Sequence, residues 1–238
     1  MGIRVGTSGW SYPSWRPGFY PEGTRPDEFL RFYAERFDTV ELNNTFYRLP
    51  SEKAVSDWRE SAPPGFCFAV KGSRFLTHMK KLADPELGIE RFFERADLLK
   101  EKLGPIVFQL PPHWTLNLDR LRAFLEALPR RRRYAFEFRN PTWNAPSVYH
   151  LLRSRNVAYC IYELSGFQSP LEITADFTYI RLHGPDGPYQ GSYDDRTLRQ
   201  WVKRIHEWDL KAAYVYFDND QAGYAPQNAL RLKEMLAR

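Results

Sequence analysis

The stretch TVELNNTFY, residues 39–47, alternates polar Thr39, Glu41 and Asn43 with apolar Val40 and Leu42. That is the period-two pattern of a β-strand. In a strand whose apolar face is covered by helices, Glu41 and Asn43 point into an enclosed interior. A carboxylate is costly there unless it is paired or used. Such a strand belongs to a barrel, and the same device recurs along the chain.

Working outward, strand patterns fall at residues 3–8 (IRVGTS), 66–71 (FCFAVK), 105–110 (PIVFQL), 134–139 (YAFEFR), 157–162 (VAYCIY), 177–183 (FTYIRLH) and 212–219 (AAYVYFDN). Helical patterns lie between them. One starts near Pro26, which suits a first helical position, with Asp27 and Glu28 favoured at the positive end of the dipole. Others cover residues 51–62, 89–103, 116–128, 146–155, 194–208 and 225–237. Eight strands alternating with helices predict an α/β fold, a single (β/α)8 TIM-like barrel over residues 1–238. The interval after the sixth strand is short, so the sixth helix is expected to be short or absent. A doubly wound open sheet is the alternative. The first strand is not followed by the Gly-x-Gly-x-x-Gly turn that would favour it.

The 238 residues are 43% hydrophobic and 26% charged, an ordinary globular balance, but 16% are aromatic, including seven Trp. Cys67 and Cys160 sit in apolar strands and read as reduced thiols of a cytoplasmic protein. Neither a secretory leader nor an apolar run near the ~20 residues of a membrane span is visible. A net charge of +5 permits an anionic partner, small molecule or nucleic acid, without requiring one.

Parity along the strands assigns the interior. Glu41 and Asn43 come from the second strand, Lys71 from the third and Gln109 from the fourth. Glu137 and Arg139 come from the fifth, Arg181 and His183 from the seventh, and Asn219 from the eighth. Active sites of such barrels gather at the carboxyl ends of the strands, where these residues lie. Two carboxylates against Lys71, Arg139 and Arg181 leave one positive charge, which favours a phosphate or carboxylate ligand. A self-satisfied ion-pair lattice is the structural alternative. Trp10, Tyr47, Trp143 and Tyr189 lie in loops at the same end. A ring of aromatics there suits a base or sugar face.

A metal site would have to be drawn from His78, His183, Glu41, Glu137, Asp218 and Asp220, with no HxH or HExxH spacing. A divalent ion shared with a phosphate fits this set; a dedicated zinc site does not. Glycoside hydrolysis needs a carboxyl of raised pKa, whereas the neighbouring cations lower both candidates. The run Arg130, Arg131, Arg132, Arg133 falls at the amino end of the barrel, away from the mouth, and reads as a solvated loop.

The motifs GTSGWSYPSW, FDTVELNNTFYRLP, FAVKGSRFLTH, LGPIVFQLPP, FEFRNPTW, IRLHGPDGPY and VYFDND together resemble the domain-of-unknown-function 72 family (YecE-like proteins). The resemblance spans nearly the whole chain and implies a TIM barrel without implying a reaction. The family's barrel is similar in outline to the endonuclease IV and xylose-isomerase-like barrels. This chain lacks their many His and acidic ligands, which counts against a three-zinc mechanism.

The expectation is therefore an enzyme acting on a phosphorylated substrate, with Lys71, Arg139 and Arg181 binding the anion. Glu41 or Glu137 is the general base, His183 the general acid, and Asn43, Gln109 and Asn219 orient the substrate. A non-catalytic module binding an anion or DNA and a carbohydrate-active hydrolase are the alternatives.

Overall fold

The computed structural model describes residues 2–237. The terminal residues of the expected 1–238 unit, Met1 and Arg238, lie outside the described residues.

Nine strands form one sheet in the order β1-β9-β8-β6-β5-β4-β3-β2. They are β1 Gly2–Thr7, β2 Thr39–Leu42, β3 Cys67–Lys71, β4 Leu103–Leu110, β5 Tyr134–Phe138, β6 Ala158–Leu164, β7 Phe167–Gln168, β8 Phe177–Leu182 and β9 Ala212–Phe217. All the pairings along this path are parallel. Only β7 is antiparallel, against β6. It occupies the place of the sixth helix: Ser165 and Gly166, both at positive φ, turn β6 back as a hairpin.

The helices are α1 Phe29–Ala34, α2 Asn44–Tyr47, α3 Glu52–Ser61, α4 Glu86–Ala96, α5 Leu118–Ala127, α6 Pro146–Ser154, α7 Asp195–Glu207 and α8 Tyr224–Leu236. Their starts follow local chemistry. Ser51, Asn117 and Asp194 accept backbone N–H groups of α3, α5 and α7, and Pro146 opens α6. The helix expected at Pro26 begins as a 3-10 turn, Pro26–Glu28, and becomes α1 only at Phe29.

Two apolar layers result. Alternate residues such as Val40, Val70, Phe108, Phe136, Ile180 and Val215 face the helices. The others fill the barrel: Cys67, Ala69, Val107, Ala135, Ala158, Tyr179, Tyr214 and Tyr216. Burying each large side chain of the outer layer stabilises by about 1.5–3 kcal/mol.

The barrel closes between β1 and β2 without a regular ladder. The seam holds one bridge, Ser8 to Glu41, with the Gly9 N–H donating to the Glu41 carbonyl at 2.8 Å. Below it the Tyr33 hydroxyl substitutes for backbone, accepting from the Thr7 N–H at 2.9 Å and donating to the Thr39 carbonyl at 3.0 Å. Gly6 permits this approach, since a Cβ there would lie 2.3 Å from the Thr39 oxygen.

Candidate active site at the barrel mouth

Above the apolar layer, the interior positions of β2, β5 and β8 carry charge. Arg181 is 1% exposed and bridges Glu41 and Glu137, each 0% exposed. Its Nε and Nη2 donate to Glu41 at 2.9 and 2.7 Å, and its Nη1 donates to Glu137 at 2.7 Å. Glu41 also accepts from the Ser8 hydroxyl and from Tyr179 at 2.6 Å. Glu137 accepts from the Arg139 Nε through its other oxygen. Burial alone would raise the Glu137 pKa, but Arg139 and Arg181 hold it well below the usual carboxylate range. Burial disfavours the Arg181 charge, yet Glu41, Glu137 and Asp218 make it still harder to deprotonate.

The eighth barrel strand, β9, corrects one parity assignment. Its inward positions are Tyr214 and Tyr216, so the next one is Asp218. The Asp218 carboxylate lies 2.9 Å from His183 Nδ1 and 3.7 Å from Arg181. Asn219 points away from the lattice and donates to the Gly191 carbonyl and Asn228, tying the loop before α7 to α8. The charge sum changes with it: Glu41, Glu137 and Asp218 now balance Lys71, Arg139 and Arg181.

His183 is fixed by its neighbours. Arg139 Nη2 can only donate, so Nε2 accepts at 2.9 Å and Nδ1–H donates to Asp218. Tyr162 and Tyr189 pack against the imidazole, which is 1% exposed. The Tyr189 loop is held there by its N–H donating to the His183 carbonyl at 2.7 Å. Gly184 makes room at φ +111°, where a Cβ would strike the Gln190 oxygen.

The groups that reach the open mouth are fewer than expected. Arg139, Gln109, Tyr162 and the half-exposed Tyr189 line a cavity of about 480 Å³, with Phe138 and Phe167. Lys71 stands on the neighbouring strand. Its Nζ lies 4.3 Å from the centroid of Phe46, with no ion pair or side-chain hydrogen bond among the described residues. Burial and then Arg181 lower its pKa to about 8.

Asn43 lies just past the end of β2, in helical rather than extended backbone, with a buried Oδ1 that has no partner. It lines a second cavity of about 780 Å³ with Trp10 and Tyr12. Trp10 itself packs edge-on against Trp58 and Phe68 in the outer layer. Tyr47 is 78% exposed at the rim. Trp143 departs from its expected place on the rim: it is fully buried, stacked on Phe138, and donates to the Trp114 carbonyl at 2.7 Å.

Among the described residues no group of three or more His, Cys, Asp and Glu side chains is placed to hold a metal ion. No described helix is long and apolar enough to cross a membrane. The arginine run is spent at the amino end: Arg132 pairs with Asp97 at 2.8 Å and Arg133 lies over the Phe177 ring.

Three side chains at the site carried signals that parity reading could have used. Tyr179 shares the face of Arg181, and Asp218 that of Tyr216. Ser8, at the carboxyl end of the first strand, is a donor to Glu41.

Comparison with known proteins gives a consistent result. The family described as "Protein of unknown function DUF72" matches residues 4–238. A DUF72 family protein of Thermotoga maritima MSB8 is 29% identical, with a TM-score of 0.91 and 100% of both chains covered. One from Enterococcus faecalis V583 is 20% identical, with a TM-score of 0.82, 99% of this chain and 96% of that one. The UPF0759 protein YunF of Bacillus subtilis (strain 168) is 24% identical over 98% of this chain and 94% of its own length.

Proposed function

The chain belongs to the DUF72 family, and we propose that it is an enzyme acting on a small phosphate- or carboxylate-bearing substrate held in the barrel mouth. The observation that carries this reading is the vertical order of charge. Glu41 and Glu137 are fully buried with both oxygens engaged, while Arg139 and Gln109 line the open cavity and Lys71 is partly exposed on the neighbouring strand. Three charges of each sign cancel in sum, yet an arriving ligand meets the cations first. Asp218 is the exception and is turned toward His183.

The roles follow from access. Arg139 presents the part of its guanidinium not used by Glu137 and His183, over the Tyr162 ring at 4.5 Å. A phosphate or carboxylate is the group such a fork binds best. Gln109 adds an amide, and Tyr162, Phe167 and Tyr189 offer aromatic faces for a sugar or base. The cavity has the size of a small-molecule site, which favours a nucleotide or sugar phosphate over a strand of nucleic acid.

Glu41 and Glu137, expected as general bases, hold Arg181 and Arg139 in place. His183, expected as general acid, orients Arg139. Glycoside hydrolysis finds no support in Glu137, whose pKa is driven down where a general acid needs it up.

Calorimetric titration with inorganic phosphate, nucleotides, sugar phosphates and small carboxylates tests this. At least one class should bind, and Arg139→Lys and Gln109→Leu should each weaken it by about tenfold, the scale of one charge-assisted hydrogen bond. Binding by no class, or binding unchanged in both variants, removes the reading.

A further inference from the structure

The π-helical turn Phe75–Met79 follows β3 after three residues and carries His78. Such turns are rare and recur at functional sites. Here the turn delivers an imidazole to the same aromatic ring that carries the lysine: His78 lies edge-on to Phe46 at 5.0 Å, and Lys71 Nζ is 4.3 Å from its centroid. Phe46 is itself fixed by the adjacent Thr45, whose hydroxyl bonds to the Lys71 carbonyl at 2.7 Å.

The imidazole is set as an acceptor. In the tautomer in which the Thr77 hydroxyl donates to the Ser73 carbonyl at 3.2 Å, His78 Nδ1–H donates to Thr77 Oγ1 at 2.9 Å and Nε2 keeps its lone pair. Burial, with Lys71 and Arg74 nearby, lowers the His78 pKa to about 4 and keeps the ring neutral. The charged groups acting on Lys71 are Arg181, which opposes its protonation, and Glu137, Glu41 and Asp218, which favour it. None of the three carboxylates forms a salt bridge with Lys71; they bond instead to the arginines and His183.

We infer that Lys71 is an amine nucleophile that condenses with the carbonyl of a small oxo acid or phosphorylated sugar, with His78 carrying the protons. The neutral amine attacks the carbonyl carbon, a C–N bond forms, and the carbonyl π pair goes to oxygen. His78 Nε2 takes the first proton that nitrogen loses and delivers it to that oxygen, giving a carbinolamine. It then takes the second N–H proton and delivers it to the hydroxyl, which leaves as water while the C–N bond becomes double. The products are an imine and one water, so no oxidant or reductant enters. The nucleophile fits a lysine placed among cations and apolar surface, where the neutral amine is accessible near physiological pH. The anionic part of this substrate class rests on the function proposed above; the imine does not.

The test is reductive trapping. The full chain is incubated with sodium cyanoborohydride and either glyoxylate, an anionic carbonyl, or glycolaldehyde, a neutral one, followed by intact mass and peptide mapping. One adduct per chain at Lys71 is expected, forming at least about tenfold faster with glyoxylate, the scale of one charged contact. Its rate should rise with pH through about 8. Lys71→Arg should fold with an unchanged circular dichroism spectrum and lose the adduct. His78→Gln should slow trapping without moving its position.

Adducts spread over surface lysines, or a Lys71→Arg chain that is trapped as fast, overturn the inference. An unchanged rate in His78→Gln removes the proton-carrying role. Equal trapping of both carbonyls at Lys71 keeps the imine and removes the anion reading. Phosphate binding with no adduct does the reverse.

Discussion

Arg181 and Lys71 are both cations rooted inside the barrel, one on β8 and one on β3, and their surroundings are opposite. Arg181 is enclosed by Glu41, Glu137, Asp218 and Ser8. Lys71 has an aromatic ring and the field of more distant charges. A buried charge with every hydrogen bond made is rigid and chemically quiet, because breaking any contact strands another. A partly buried charge without a counter-ion is held weakly in its protonated form and gives up its proton more readily. One wall of the mouth is a closed lattice of ion pairs, and the other holds a cation without a counter-ion among the described residues.

The largest break in this contrast comes from Arg181→Met. It leaves Glu41 and Glu137 without their shared cation, and loss of a buried partner costs about 3–5 kcal/mol. Chemical denaturation should show a drop of that size or an unfolded chain. A loss under about 1 kcal/mol would sink the mutual dependence of the lattice. Glu41→Gln comes next. The amide keeps one acceptor oxygen, which can take the donation of Ser8 or of Tyr179 but not of both, and it loses a charge-assisted contact to Arg181, for about 2 kcal/mol of destabilisation. If the variant were instead as stable as the parent and merely inactive, Glu41 would return as a general base.

Lys71→Met is the smallest and has the opposite sign. Removing a desolvated, unpaired ammonium should leave stability unchanged or raise it by about 1 kcal/mol. The pH dependence follows from the direction of the shift. The Lys71 pKa is lowered from 10.5 to about 8, so its charge costs stability below about pH 8. Between the two values the unfolded chain binds more protons, and stability rises with pH. The advantage of Lys71→Met over the parent should therefore shrink from pH 8 to pH 10.5. A methionine variant clearly less stable at neutral pH would show that Lys71 is a structural cation after all.

Regular backbone also decides what was legible in the sequence. Strand parity found Glu41, Lys71, Gln109, Glu137, Arg139, Arg181 and His183, because regular backbone forces alternate residues to one side. It failed where regular backbone ends. β9 stops at Phe217, and Asn219 rather than Asp218 was expected at the mouth. Trp143 belongs to a short 3-10 turn that folds it inward, and a loop aromatic carries no periodicity to reveal that. The π-helical placement of His78 was equally hidden, since its five-residue return leaves no distinct apolar pattern. The eight-stranded alternation was readable throughout, and even the missing sixth helix showed as a short interval.

The clasp between β1 and β2 has a consequence for assembly. The first two strands are neighbours in the chain, yet their edge carries one bridge and a phenol in place of a ladder. Hydrogen bonding therefore runs the long way round, from β2 through to β9 and back to β1. The barrel is a strip wound on itself and buckled at its ends, and Glu41 sits at the buckle. Its partner Arg181 comes 140 residues later. A ribosome must thus deliver 140 further residues after Glu41 before that carboxylate meets its guanidinium, so the charged interior comes into being only with closure of the whole.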